Sequence, residues 1–317
     1  MESRRVGSSG LRVSSVGLGT MTWGRDTDEH EAAEQLRAFL DAGGTLVDTA
    51  ATYGDGAAEE VIGSLLAETM DRDEIVLCSK SGVRGGRIDS SRGALLDSLE
   101  ESLARLGTDH LDLWLVHAPD PGTPLRETVS ALRHAVRTGR TRYVGLSNFP
   151  AWQIATAAAQ LEEDETFLTA AQMEYSLLQR GIEREVVPAA QALGVGILAW
   201  SPLGRGVLSG KYRRSVPADS RAASPHLRGF VEPYLTQEAR GVVEAVATAA
   251  EGLGRSPVEV ALAWARDAEG IASAIVGART PAQLRGSLAA ADLELPREIR
   301  TVLDEVTAPS WGYPERR

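Results

Sequence analysis

The chain has 317 residues, 43% hydrophobic and 24% charged, the profile of a folded globular protein with a large core rather than a disordered or fibrous one. Its 33 Lys and Arg against 44 Asp and Glu leave a net charge of −11, which argues against nucleic acid as a partner, since such binders rest on basic patches. A single cysteine, Cys78, excludes an intramolecular disulfide and a thiolate metal cage and fits a reducing, cytoplasmic setting, while Met1 to Gly7 lack a signal-peptide run and no stretch nears the roughly 20 apolar residues of a membrane span.

At the N-terminus, Arg4 to Val6 and Leu11 to Val13 flank Gly7-Ser8-Ser9-Gly10 and predict a small hairpin. Short Val-, Ile- or Leu-rich runs then predict strands at Ser15 to Gly19, Thr45 to Thr49, Glu74 to Lys80, Leu111 to His117, Tyr143 to Ser147, Thr169 to Met173, Gly196 to Trp200 and Ile271 to Val276. Between them, apolar residues recur at three- and four-residue steps over Glu31 to Ala42, Ala57 to Met70, Ser90 to Leu106, Leu125 to Thr138, Ala151 to Leu161 and Ile182 to Leu193, which predicts helices. Eight strands alternating with helices require parallel crossovers, and their closed solution is the (β/α)8 TIM barrel, here one domain over 1–317 with the hairpin as a plug for its bottom. The interval between the seventh and eighth strands breaks the rhythm. It holds a long loop, Leu203 to Pro233, and two helical patterns, one of them an extra helix; the second opens on the capping box Ser256-Pro257-Val258-Glu259.

Active sites of such barrels lie at the C-terminal strand ends. There the sequence places Asp48, Lys80 and His117, with Tyr53 just beyond the second strand. Each has a plain reading by itself: a helix cap, a packed ring, a paired lysine, a core imidazole. Together they form a chemical unit, because a phenol of ordinary pKa near 10 needs a neighbouring cation to exchange a proton near pH 7. Lys80 supplies that charge, Asp48 keeps it ionised and aimed, and His117 orients a carbonyl oxygen. A hydride source is still needed, and no side chain is one.

The chain resembles the aldo-keto reductases over essentially its whole length, through Gly17-Leu18-Gly19-Thr20, Leu46-Val47-Asp48-Thr49-Ala50 with Tyr53-Gly54, Ser79-Lys80, Leu115-Val116-His117, Gly145-Leu146-Ser147-Asn148-Phe149, Gln172-Met173-Glu174-Tyr175 and Trp200-Ser201-Pro202-Leu203-Gly204. The resemblance implies an NADPH-dependent (NADPH/NADP+) reductase of an aldehyde or ketone with Asp48, Tyr53, Lys80 and His117 as catalytic tetrad and Tyr53 as general acid. It implies cofactor contacts from Gly19, Thr20, Met21, Asp48, Ser147, Asn148 and Gln172, a ring at Trp200 against the nicotinamide, and a pyrophosphate loop of Ser201, Pro202, Leu203, Gly204, Gly206 and Lys211. Trp at position 200 resembles the branch that includes potassium-channel β subunits. Gly277, Arg279, Gln283 and Ser287 match the adenosine segment, where Arg279 would clamp a 2′-phosphate; Gly286 and Ser287 replace the Glu and Asn common in relatives, which loosens adenine recognition.

Two of these residues have a structural alternative. Asn148 stands where it would cap the next helix, and Thr280-Pro281-Ala282-Gln283 reads as a capping box. Met21, Trp23, Tyr53, His117, the long loop and the tail around Tyr313 are candidate pocket walls for a small carbonyl substrate. A Rossmann dehydrogenase fails on spacing, because Gly17 and Gly19 are followed by Thr22 where a third glycine belongs. A metal-dependent hydrolase lacks paired histidines, and no metal is expected. The remaining alternatives are an NADP(H)-binding sensor with little turnover, and a reductase of a sugar or natural-product intermediate.

Overall fold

In this computed structural model, residues 1–218, 220–310 and 312–313 are described. An antiparallel hairpin, β1 (Ser3–Arg5) and β2 (Arg12–Ser14), precedes β3 (Val16–Gly19), β4 (Leu46–Asp48) and β5 (Val76–Ser81). A second small hairpin follows, β6 (Val83–Arg84) with β7 (Arg87–Ile88), and then β8 (Leu111–Val116), β9 (Thr141–Ser147), β10 (Leu168–Glu174), β11 (Gly196–Trp200) and β12 (Ile271–Gly277). Strands β3, β4, β5, β8, β9, β10, β11 and β12 pair in parallel and close into an eight-stranded barrel. The predicted (β/α)8 barrel and its N-terminal hairpin are therefore what the chain forms.

Helices α1 (Glu29–Asp41), α2 (Ala57–Glu68), α3 (Arg92–Leu106), α4 (Leu125–Arg137), α5 (Ala151–Glu162) and α6 (Val186–Leu193) fill the crossovers. The long interval after β11 holds the short α7 (Arg228–Val231), then α8 (Gln237–Leu253) and α9 (Pro257–Arg266); α10 (Pro281–Leu288) and α11 (Arg297–Val306) follow β12. Local chemistry sets several starts: Asp28 caps α1, Thr236 caps α8, and Ser256 with Glu259 forms the full capping box of α9. The box expected at Thr280 is only half made. The Thr280 hydroxyl accepts from the Gln283 amide, but the Gln283 side chain accepts from Arg279 N–H instead. The segment Leu203 to Pro233 is less open than its composition implies, with 3-10 turns at Gly204–Ser209 and Glu232–Tyr234 flanking α7.

The two-residue strand period sorts side chains between barrel interior and helix layer. On β8, Leu113 and Leu115 join the interior cluster while Trp114 and Val116 pack outward with the helices. Leu46, Cys78, Ala170 and Leu198 share that interior cluster with Val6, Leu11 and Val13 of the hairpin, which close the floor. Hairpin and barrel meet at backbone distance: Gly7 has φ +59°, and a Cβ there would lie 2.1 Å from the Gly194 carbonyl oxygen.

Candidate active site

One step of two residues above the apolar floor, the same strands carry polar or aromatic groups. Leu46 leads to Asp48, Cys78 to Lys80, Leu115 to His117, Ala170 to Gln172 and Leu198 to Trp200. The apolar layer below and the polar layer above thus follow from one alternation, and the rim receives its chemistry from five different strands. Tyr53 joins from the turn after β4, where Gly54, Asp55 and Gly56 all take positive φ and turn the chain sharply toward α2.

Lys80 is 1% exposed, and its Nζ donates to Asp48 Oδ2 at 2.8 Å, to the Thr49 carbonyl at 2.8 Å and to the Tyr53 hydroxyl at 3.4 Å. The second oxygen of Asp48 accepts from Gln172 Nε2 at 2.7 Å, although β4 and β10 lie on opposite sides of the barrel. Both carboxylate oxygens are thereby committed, as burial of an ion pair requires. Burial disfavours the Lys80 ammonium, but the Asp48 carboxylate outweighs it and holds the lysine pKa well above its ordinary value. For Tyr53, burial outweighs the favourable charge of Lys80, so the phenol sits above its usual pKa of 10 and is protonated at neutral pH. This differs from the depression expected from the lysine alone: desolvation of the phenolate is the larger effect.

His117 meets Tyr53 edge-on, with ring centroids 6.0 Å apart and planes at 81°. Burial, then the Lys80 charge, pushes its pKa down to about 3, so the imidazole is neutral, and its buried Nδ1 has no hydrogen-bond partner. Asn148 ties this group to its neighbours: its Nδ2 donates to the His117 carbonyl at 2.9 Å and to Ser147 Oγ at 3.1 Å, while its Oδ1 accepts from Trp200 Nε1 at 3.0 Å. With φ +65° and three side-chain bonds, Asn148 does not cap α5; Pro150 occupies that position.

The rim opens into a cavity of about 540 Å³ that runs from Tyr53 and His117 past Trp200 to Arg279 and Ser287. At its far end the chain gathers Lys211, Arg221 and Arg279. The packing around Arg221, then the like charge of Arg279, hold its pKa below the ordinary arginine value, and its Nη2 donates to the Gly277 carbonyl at 3.2 Å. Two guanidinium groups close enough to repel favour an anion beside them, as a phosphate supplies. Beside them Gly206 takes φ +94°, and a Cβ there would come within 3.4 Å of Lys211 Nζ. The cavity thus has an apolar, aromatic end next to proton-bearing groups and a cationic, glycine-containing end. That pairing fits a dinucleotide.

Of the cofactor and substrate residues expected from the sequence, Gly19, Met21, Asp48, Tyr53, His117, Ser147, Asn148, Gln172, Trp200, Ser201, Pro202, Leu203, Gly206, Lys211, Gly277, Arg279, Gln283 and Ser287 line this cavity. Three do not. Thr20 is buried and donates its hydroxyl and amide to the Asp48 carbonyl, so it braces the carboxylate's strand end from behind. Gly204 lies under the loop, where a Cβ would meet Leu178 at 2.7 Å. Trp23, read as a pocket wall, is 0% exposed, and its indole N–H donates to Gln35 in the helix layer at 3.3 Å. The tail also fails as a wall, because Tyr313 is 91% exposed and outside the cavity; Trp311 and Pro314 lie outside the described residues. The long loop does line the cavity as expected, through Arg205, Arg221 and Phe230 among others, but the sequence did not single these three out, because their partners are distant in the chain.

The pattern described as Aldo/keto reductase family matches residues 15–308. The chain belongs to this family. Among similar proteins, the uncharacterized oxidoreductase YrpG of Bacillus subtilis (strain 168) is 37% identical over 331 aligned positions, spanning 99% of each chain. The Aldo-keto reductase YhdN of the same organism is 33% identical over 293 positions, 90% of this chain and 87% of its own. A probable voltage-gated potassium channel subunit beta of Oryza sativa subsp. japonica is 33% identical over 324 positions, 100% of this chain and 98% of its own. This aldo/keto reductase is accordingly an oxidoreductase of carbonyl compounds, in a family that generally uses nicotinamide cofactors. Among the described residues, no helix is long and apolar enough to cross a membrane.

Proposed function

We propose that the chain, as one barrel domain over 1–317, is an NADPH-dependent reductase of an aldehyde or ketone in which Tyr53 gives the proton. The observation that carries this reading is the buried chain of contacts Gln172–Asp48–Lys80–Tyr53 ending beside a neutral His117 at the cavity's rim. A bound nicotinamide nucleotide supplies the hydride that no side chain offers. Gly19, Met21, Ser147, Asn148 and Gln172 hold its carboxamide end, with the Trp200 ring against the nicotinamide. Ser201, Pro202, Leu203, Gly206 and Lys211 take the pyrophosphate, and Arg221, Arg279, Gln283 and Ser287 the adenosine end.

The chain's own work is proton delivery and charge stabilisation. Neutral His117 orients the substrate carbonyl by a hydrogen bond to its oxygen, and the protonated phenol of Tyr53 donates to that oxygen as negative charge grows there. Charge then passes to the phenol oxygen, where the Lys80 ammonium meets it; Asp48, fixed by Gln172 and Thr20, keeps the ammonium charged and aimed. The test is NADPH oxidation, followed by absorbance, with a panel of aldehydes, ketones and enones. Tyr53→Phe abolishes carbonyl-dependent oxidation; turnover surviving in that variant removes Tyr53 from its role. Arg279→Ala weakens NADPH binding at least tenfold more than NADH, and equal weakening rules out a 2′-phosphate contact.

A further inference from the structure

We infer that Phe230, carried by the long loop and pinned there by Arg205, is the wall on which the non-reacting part of the substrate rests, and that it selects flat apolar carbonyl compounds over polyhydroxylated ones. The inference rests on the reading of the site as a carbonyl reductase.

Phe230 lines the same cavity as Tyr53 and His117, and its ring lies nearly parallel to Trp200, 6.4 Å between centroids at 19°. Trp200 is itself fixed, because its N–H donates to Asn148, which in turn holds the His117 carbonyl. The aromatic pair therefore stands in fixed relation to the proton-bearing groups. What fixes Phe230 is Arg205. This residue takes φ +56°, a strained conformation for a side chain with a Cβ, and its guanidinium satisfies three directions at once. It pairs bidentately with Glu174 at 2.7 and 2.6 Å, donates to the Phe230 carbonyl at 2.7 Å, and lies 4.3 Å from the Phe230 ring centroid and 5.0 Å from that of Tyr234. Tyr234 closes the set by donating to Glu174 at 3.1 Å. The end of β10, the turn after β11 and the long loop are thus joined at one planar cation. A planar fork is needed for this, since an ammonium offers no bidentate pair and no stacking face. Three of the five Arg205 N–H groups are committed to Glu174 and the Phe230 carbonyl, and Phe230 gives the cavity lining a ring with no hydrogen-bonding side-chain atom, which suits an aryl group better than sugar hydroxyls.

The experiment compares kcat/KM for benzaldehyde and for glyceraldehyde at saturating nucleotide, with nucleotide affinity read from quenching of tryptophan fluorescence. Phe230→Ala is expected to lower the benzaldehyde value at least tenfold, chiefly through KM, and the glyceraldehyde value less than threefold, with nucleotide affinity within twofold of wild type. Phe230→Leu, a milder change that keeps volume, gives an intermediate ratio. Arg205→Met lowers the ratio as Phe230→Ala does, and Arg205→Lys does not restore it. Equal loss for both substrates in Phe230→Ala, or an unchanged ratio in Arg205→Met, overturns the inference. The wild-type protein separates the two levels: if it oxidises the nucleotide with neither aldehyde the carbonyl-reductase reading itself fails, whereas if it reduces benzaldehyde and Phe230→Ala keeps the wild-type ratio, only the wall is wrong.

Discussion

Lys80→Met tests the centre of the site through two independent quantities. The substitution keeps most of the side-chain volume and removes the charge, which leaves the Asp48 carboxylate buried with Gln172 but without a cation. Removing one partner of a buried ion pair costs about 3–5 kcal/mol. With unfolding entropy near 2.1 cal/mol/K per residue, a chain of 317 residues has roughly 0.67 kcal/mol/K at its midpoint, so Tm falls by about 5–8 °C. The kinetic effect comes from the phenol oxygen, 3.4 Å from the ammonium. At an effective dielectric constant of about 20, a half charge developing there loses roughly 2.5 kcal/mol of stabilisation, on the order of 10²-fold in kcat. Differential scanning fluorimetry reads the first quantity, and steady-state NADPH oxidation the second. Adding Asp48→Asn to Lys80→Met recovers part of the lost Tm by removing the orphaned charge and recovers no turnover. A single variant within 1 °C of wild type and within threefold in kcat would refute both the buried pair and its role.

Three further outcomes follow from the same geometry. The folded His117 titrates at about 3 and its unfolded counterpart near 6.5, so between those values the unfolded chain binds the extra proton and stability falls with falling pH by up to about 1.4 kcal/mol per unit. Urea unfolding of wild type and His117→Gln from pH 4.5 to 8 shows a difference that grows below 6.5 and is flat above it; parallel curves throughout would contradict a buried neutral imidazole. Gly7→Ala forces a Cβ against the Gly194 carbonyl at a positive φ and costs roughly 2–3 kcal/mol, seen as a Tm drop of about 3–5 °C, while an unchanged Tm denies the close approach of hairpin and barrel. Arg221→Ala removes one of the two guanidinium charges at the cavity's cationic end and shallows the salt dependence of NADPH affinity; a slope equal to wild type shows that Arg221 meets no phosphate.

The barrel strands were legible because strands buried on both faces appear as short apolar runs, and the same alternation told which residues crown them: Asp48, Lys80 and His117 each stand two positions beyond an interior apolar residue. Less legible was anything decided by a partner far along the chain. Trp23 reads as a pocket residue by its nearness to β3, yet its indole finds Gln35 and turns into the helix layer. Arg205 and Arg221 look like ordinary loop arginines until folding brings Glu174 to one and Gly277 to the other. The hairpin β6–β7 escaped notice because two-residue strands around Gly85-Gly86 carry no periodicity. The expected depression of Tyr53 failed for a related reason, since desolvation depends on neighbours that no local pattern reveals.

The bond from Gln172 to Asp48 joins residues 124 positions apart and spans the lumen between opposed staves of the cylinder. Such a crossbeam exists only once the ring is complete, because an open sheet would hold the two strands on separate arcs. In a refolding chain, turnover therefore requires closure of the circle and not merely formation of the individual β/α units.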